Sequence, residues 1–294
     1  MSWQYLGRAP KTRHTAVVLT ALPVEYDAMR AHLARNEELV HDDGTRVERG
    51  WLEGSSWSVA LAELGEGAVT AAALTTQIVG WLRPEVLLFV GVAGGLKDDI
   101  EIGDVVVGTK VYAIHGGKQT PQGFHARPQV WHCSHRLAQA ARSALRDMRD
   151  VPVHFKPIAC GDVVLADERS VLAEHIRQHY NDACAIEMEG SGAAHAAHLN
   201  GQLDTLVVRG ISDRADADKH KADSAGSQQR AAEQAATVAV AILRKHQPRG
   251  GSSHAQSRPR PDHEASAAHG RNQVGYRDAT FHNPVAGKDA ESER

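Results

Sequence analysis

The chain has 294 residues and carries 33 Lys and Arg against 36 Asp and Glu, a formal net charge of −3 that excludes the strongly basic face of a nucleic-acid binder. Its length allows one large domain or two small ones, and with 42% hydrophobic residues but only 5% aromatics the core must be mostly Val, Leu, Ile and Ala. Cys133, Cys160 and Cys184 stand far apart without a Cys-x-x-Cys pair, which argues against a disulfide framework or a zinc knuckle.

Residues 1–14 are polar and basic and lack the apolar stretch of a signal peptide, so they read as an extension and the protein as cytoplasmic. Residues 15–22 (TAVVLTAL) are short, apolar and β-branched, the pattern of a buried strand. Pro23 then opens a helix to about Arg35, sitting in the first turn where its missing N–H does no harm. Residues 56–63 alternate as a second strand, Gly65-Glu66-Gly67 turns the chain, and 68–81 form an Ala- and Thr-rich helix. A strand over 86–90 runs into Gly91-Val92-Ala93-Gly94-Gly95, expected as a glycine loop, and 104–107 and 111–114 are separate strands. The longest apolar run, 86–96, is too short for a bilayer and contains three glycines, so no membrane partner is expected. A loop with Gly116, Gly117, Pro121, Gly123 and Pro128 covers 114–131, and Ser134 caps a helix to Met148.

The second half continues with a strand over 153–159, a helix over 168–179, a short strand over 185–188 and a helix over 190–200. A strand over 205–208 and a helix over 231–245 follow. From residue 247 the composition shifts to Ser, Pro, His, Arg and Asp with few large apolar residues, which predicts a disordered tail over 247–294. Strands and helices alternate through 15–246, the signature of an α/β domain with helices flanking a largely buried sheet.

Four places in this order hold residues suited to chemistry. Gly94 lies in the glycine loop, whose N–H groups can face oxygens or simply make a tight turn; the spacing is neither G-x-G-x-x-G nor a P-loop. Glu25 falls in the first turn of the first helix, a position acidic residues also favour for the helix dipole. In Glu187-Met188-Glu189-Gly190, Glu189 offers two carboxylate oxygens to vicinal hydroxyls and Met188 a soft apolar surface for a sugar, although an acidic helix N-terminus has the same letters. Ser212 and Asp213 end an apolar segment, where ligands of α/β sheets sit, and where a capped turn is the plainer explanation. Carboxylates set among small and apolar neighbours are costly unless paired or neutralised, and a site that binds a polyol and moves a proton accounts for them. Asp216 and Asp218 fit no EF-hand, and the 18 histidines, His195 and His198 included, show no ligand spacing, so neither metal nor cofactor is expected.

The segments TALPVEYDAM, ELGEGAVTAAALT, VGVAGGLKDDIEIGDVVVG, ACGDVVLAD, AIEMEGSGAAHAA and VVRGISDRAD occur in one order between 15 and 245. Together they resemble the nucleoside phosphorylase/nucleosidase superfamily, most closely its methylthioadenosine/S-adenosylhomocysteine nucleosidase branch. The resemblance implies a three-layer αβα sandwich with a mixed central sheet, assembled as a homo-oligomer with a dimer favoured. It implies that Glu25 activates water, Glu189 holds the ribose hydroxyls, Met188 covers the sugar face, and Asp213, oriented by Ser212, protonates the purine N7. It further implies cleavage of an adenine nucleoside by water, because Phe89 and Val92 stand where phosphorylases keep an arginine and a serine for phosphate. Val164 takes the place of the aromatic that stacks on adenine. Lys110, Lys118 and Arg127 after the 104–107 strand raise the alternative of a phosphorylated adenine nucleotide as substrate, cleaved by an effector or signalling enzyme. A non-catalytic nucleotide-binding module is a further alternative, against which the joint presence of Glu25, Glu189 and Asp213 argues.

Overall fold

The computed structural model describes residues 14–146, 148–201 and 203–249. Its first half comprises β1 (His14–Thr20), α1 (Pro23–Arg30), β2 (Leu33–Val40), β3 (Arg46–Leu52), β4 (Trp57–Glu63), α2 (Ala68–Leu82), β5 (Val86–Gly95) and β6 (Val105–Ala113). Three short strands follow, β7 (Gly117–Thr120), β8 (Gly123–Ala126) and β9 (Gln129–His132). The remainder comprises α3 (His135–Ala144), β10 (Val153–Cys160), α4 (Val171–His179), β11 (Ala185–Glu187), α5 (Gly190–Leu199), β12 (Asp204–Asp213), α6 (Lys219–Ser224) and α7 (Ser227–Lys245).

The central sheet is mixed and runs β11-β10-β6-β12-β5-β1-β4-β3-β2, with β9 attached to β6. β4, β1, β5 and β12 are parallel neighbours, so their carboxyl ends share one edge. β12 meets β6 antiparallel, and β6, β10 and β11 are parallel to one another. β11 also pairs antiparallel with the end of β5 through Ala185–Gly95 and Ile186–Gly94, closing β5, β12, β6, β10 and β11 into a ring. That closure brings the acidic segment after β11 against the carboxyl ends of β5 and β12.

Alternation along the strands makes the three layers. Ala16, Val18, Leu88, Val90, Leu206 and Val208 pack with α1, α3 and α7, whereas Val17, Leu19, Leu87, Phe89 and Val207 pack with α2 and α5. Small residues let helix approach sheet and helix approach helix closely. A Cβ at Gly210 of β12 would overlap the carbonyl oxygen of Ala231 in α7, and one at Gly192 of α5 would overlap that of Ala68 in α2.

Several elements depart from the sequence reading. Residues 91–95 are strand rather than a glycine loop, because β12 on one side and β11 on the other take up their backbone groups. β6 is one strand through Gly108, where Ile158 and the Val207 carbonyl crowd the space a side chain would need. α1 stops at Arg30, and β2 and β3 form an unforeseen antiparallel pair outside β4. β2 is largely exposed and is laced to β3 by Arg46–Glu38 and Arg49–Glu37 ion pairs, so no buried alternation marks it. The expected 114–131 loop contains the β7–β8 hairpin and β9. Ser134 stands at the N-cap of α3, but its Oγ accepts from the Thr205 N–H at 2.7 Å instead of from the helix. β12 extends five residues beyond the predicted 205–208 strand, to Asp213.

At the opposite edge of the domain the Trp57 indole N–H donates to the His246 carbonyl at 3.0 Å and the two rings stack at 5.7 Å. Arg136 donates to the Gln247 carbonyl at 2.8 Å and the Arg249 N–H to Glu85 at 2.7 Å, so domain contacts continue to Arg249. Beyond these residues and His14, which opens β1, the predicted extension and tail lie outside the described residues. No described helix is long and apolar enough to cross a membrane.

Gly210→Ala should destabilise the domain by about 1–3 kcal/mol, the range for forced overpacking; urea unfolding followed by circular dichroism checks it, and an unchanged midpoint would show that α7 can shift away from β12.

Candidate active site

β12 carries an arginine into the interior of the sheet. Arg209 has no solvent exposure, and its guanidinium lies over the Phe89 ring of β5 at 4.4 Å from the centroid. An uncompensated buried charge is prohibitively expensive, and three carboxylates surround this one. Arg209 Nη2 donates to Glu187 Oε2 in a short contact, lies 3.6 Å from Glu189 Oε2, and its Nη1 lies 3.8 Å from Glu25 Oε1. Burial works against the Arg209 charge, but Glu187, Glu25 and Glu189 outweigh it and hold the guanidinium protonated. Gly91 makes the meeting possible: a Cβ there would collide with both Arg209 Nη1 and Glu25 Oε1.

Glu25 is placed by the first turn of α1. Its Oε2 accepts from the N–H groups of Ala21 and Leu22 at 2.8 and 3.0 Å, and its Oε1 from the Val92 N–H at 2.7 Å. Burial raises its pKa above the ordinary 4.5, while Arg209 and the backbone donors pull it down. Such a group is a stronger base than an ordinary carboxylate and is held in place by the backbone.

Glu187 ends β11 and Glu189 precedes α5. Glu187 Oε2 accepts from the N–H groups of Glu189 and Gly190 at 3.1 and 2.8 Å, so this carboxylate fixes the turn as well as pairing with Arg209. Glu189 Oε1 accepts from the Gly67 N–H at 3.0 Å. Burial pushes Glu189 up to about 7, with Arg209 opposing and Glu187 adding to the rise.

Asp213 closes β12 and is 3% exposed. Its Oδ2 accepts from the Ser212 hydroxyl at 2.9 Å and from Lys219 Nζ at 2.7 Å, and its Oδ1 from the Ala215 N–H at 2.8 Å. All three neighbours donate. Gly94 lies directly beside it, where a Cβ would crowd Asp213 Oδ1 and Ala215.

Glu25, Gly94, Val164, Met188, Glu189, Ser212 and Asp213, drawn from five separated segments, all line one cavity of about 160 Å³. Glu66, Glu187 and Lys219 share its wall. Val163 and Val164 are 52% and 53% exposed at its edge. Sequence reasoning missed Arg209 and Lys219 as site groups. The signal for Arg209 was there, a lone charge inside the apolar run VVRGIS, whereas Lys219 is brought in only by the turn of the chain after Asp213. Lys110, Lys118 and Arg127 do not line the cavity; Lys110 pairs with Asp182 at 2.9 Å and lies over Tyr112. Among the described residues no cluster of His, Cys, Asp or Glu is placed to hold a metal ion.

A domain of this architecture, with its cavity at the carboxyl edge of a mixed sheet, belongs to a known class. The chain is a member of the phosphorylase superfamily, whose family model matches residues 15–244. Within that superfamily it is similar to 5′-methylthioadenosine/S-adenosylhomocysteine nucleosidases. The enzyme of an Exiguobacterium species is 30% identical over 192 residues, covering 63% of this chain and 81% of the relative. That of Chromohalobacter salexigens is 28% identical over 204 residues, covering 67% and 83%. Among solved structures, the nucleosidase of Neisseria meningitidis in complex with methylthio-immucillin-A superimposes with a TM-score of 0.69 at 25% identity, over 78% of this chain and 98% of that one. Futalosine hydrolase of Helicobacter pylori, at 21% identity and a TM-score of 0.68, shares the fold.

Two outcomes follow from the buried charges. Arg209→Met leaves Glu25, Glu187 and Glu189 without their shared counter-ion and should cost about 3–5 kcal/mol of stability, the range for a broken buried pair; an unfolding midpoint equal to that of the parent would contradict the assignment. Glu189 holds its proton more tightly folded than unfolded, so its contribution to stability is complete below 4.5 and lost as pH rises to about 7. Stability measured across that window should therefore fall less steeply in Glu189→Gln than in the parent.

Proposed function

We propose that the protein is an N-glycosyl hydrolase that releases the base from an adenine nucleoside such as methylthioadenosine or S-adenosylhomocysteine. The observation that carries the reading is the convergence of Glu25, Glu189 and Asp213 on one cavity, with Arg209 beneath two of them. N-glycosidic cleavage passes through an oxocarbenium-like state, which needs a protonated leaving base, a nearby negative charge and a positioned nucleophile. Asp213 protonates the purine N7, and Ser212 orients it. Glu189 accepts the ribose hydroxyls through its two oxygens, best in its ionised form, and Met188 covers the sugar. Glu25 takes the proton of the attacking water.

Water is favoured over phosphate as nucleophile. The Val92 N–H is already committed to Glu25, and the Phe89 side chain is a hydrocarbon ring, so neither position offers a free donor to an anion. The wall charges of the cavity point the same way: Glu25, Glu66, Glu187, Glu189 and Asp213 oppose a single lysine, Lys219, which is engaged by Asp213. A phosphorylated nucleotide would meet repulsion there. The reading also includes a cytoplasmic location and a homodimer; the exposed Val163 and Val164 at the cavity edge are apolar surface that a second subunit would cover.

Chromatography of free adenine after incubation with methylthioadenosine, adenosine, AMP and ATP, each with and without phosphate, tests this. Adenine should appear from methylthioadenosine irrespective of phosphate; release from AMP or ATP alone would reject the substrate class. Asp213→Asn and Glu25→Gln should each lower kcat by about 100-fold or more, the scale of lost acid–base catalysis, and near-parental turnover in either would remove that residue from the mechanism.

A further inference from the structure

The proposed reaction asks Asp213 to give a proton, yet its three hydrogen-bond neighbours all donate to it. Of its three donors, the Ala215 amide does not ionise and the Ser212 hydroxyl is a far weaker acid than an ammonium group. The third is the Lys219 ammonium, 2.7 Å from Asp213 Oδ2. Lys219 reaches the cavity from the start of α6, its side chain is 23% exposed, and Asp213 is 4% exposed by the same measure. A cation with access to solvent is thus joined by one hydrogen bond to the buried carboxylate proposed to act on the base.

We propose that Lys219 is the proton reservoir for Asp213, so that the pair acts as one relayed acid. This rests on the reading of Asp213 as the N7 acid. As the C1′–N9 bond breaks, its electron pair enters the purine and makes N7 basic. The Nζ–H bond of Lys219 breaks, its proton passing to Asp213 Oδ2 and its electron pair staying on nitrogen, and Asp213 hands that proton on to N7 and returns to the carboxylate. Lys219 becomes neutral while the sugar gains positive charge, which removes a repulsion when it would matter most. Solvent then restores the proton at Nζ. Without the ammonium group Asp213 would have to be reloaded from solvent protons, which grow scarce as pH rises. The other charged groups around the pair are Glu25, Glu66, Glu187 and Glu189 on the same cavity, with Arg209 beneath three of them. Arg214 and Asp216, on the turn between Asp213 and Lys219, line the adjoining cavity with Lys97 and Asp98.

The test is the pH profile of kcat and KM for methylthioadenosine in the full chain and in Lys219→Met, Lys219→Arg and Asp213→Asn, with thermal midpoints measured alongside. Lys219→Met should lose about tenfold or more in kcat at neutral pH with little change in KM, and its activity should decline at lower pH than that of the parent. Lys219→Arg keeps the charge but does not release its proton, so it should remain impaired at an unchanged thermal midpoint. Parental kcat in Lys219→Arg, or a Lys219→Met profile superimposable on the parent, would overturn the relay and leave Lys219 a simple counter-ion. If Lys219→Met does not fold, Lys219→Arg decides alone. Turnover retained in Asp213→Asn would instead reject Asp213 as the acid, whereas an inactive Asp213→Asn beside a fully active Lys219→Arg would reject only the relay.

Discussion

The site depends on one buried cation. Arg209, without solvent exposure, cannot remain charged inside the sheet unless counter-charges come to it, and they arrive from two separate parts of the chain: Glu25 from α1, and Glu187 and Glu189 from the junction of β11 with α5. The electrostatic requirement therefore joins four elements at one point. Packing joins them as well, because Phe89 lies under the guanidinium and Gly91 leaves room for it to reach Glu25. Buried ion groups are seldom the cheapest way to stabilise a fold. Their value here is in position, since the same contacts hold three carboxylates at the wall of the cavity.

Backbone donors complete that arrangement. The N–H groups of Ala21, Leu22 and Val92 fix Glu25, and that of Gly67 fixes Glu189. The Ala21, Leu22 and Gly67 amides lie in turns that precede helices, where backbone groups lack a partner within their own element, and the Val92 amide lies in β5 beyond the last residue paired with β1. The carboxylates are consequently oriented by backbone groups, and burial raises both above the ordinary carboxylate value. Asp213 differs, as two of its three donors are side chains, Ser212 and Lys219, one of them in contact with solvent. Glu25 and Glu189 are thus held largely by backbone amides and Asp213 largely by side chains.

The fold was legible wherever burial wrote a clear pattern. β1, β4, α2 and β10 fall within a few residues of their predicted limits because their apolar runs are bounded by Gly, Pro or charged residues. β2 and β3 were not legible: their ladder is held partly by exposed ion pairs, and such charges read equally well as helix surface. Glycines misled in the opposite direction, since at 91, 94 and 95 they make room for side chains of β12 and its neighbours without breaking the strand.

For the site, the residue types and their order along the chain were determined by the sequence alone: carboxylates at Glu25, Glu189 and Asp213, a soft surface at Met188 and a small residue at Gly94, all beside apolar segments. Those are local properties, readable from neighbours a few residues away. That Arg209 is the shared counter-ion, that 91–95 is strand, and that Lys219 rests on Asp213 were decided only by the tertiary structure. Each depends on contacts across the ring closed by β11 and β5 or on the path of the chain after β12, and the energy of a buried charge is set by what surrounds it in space.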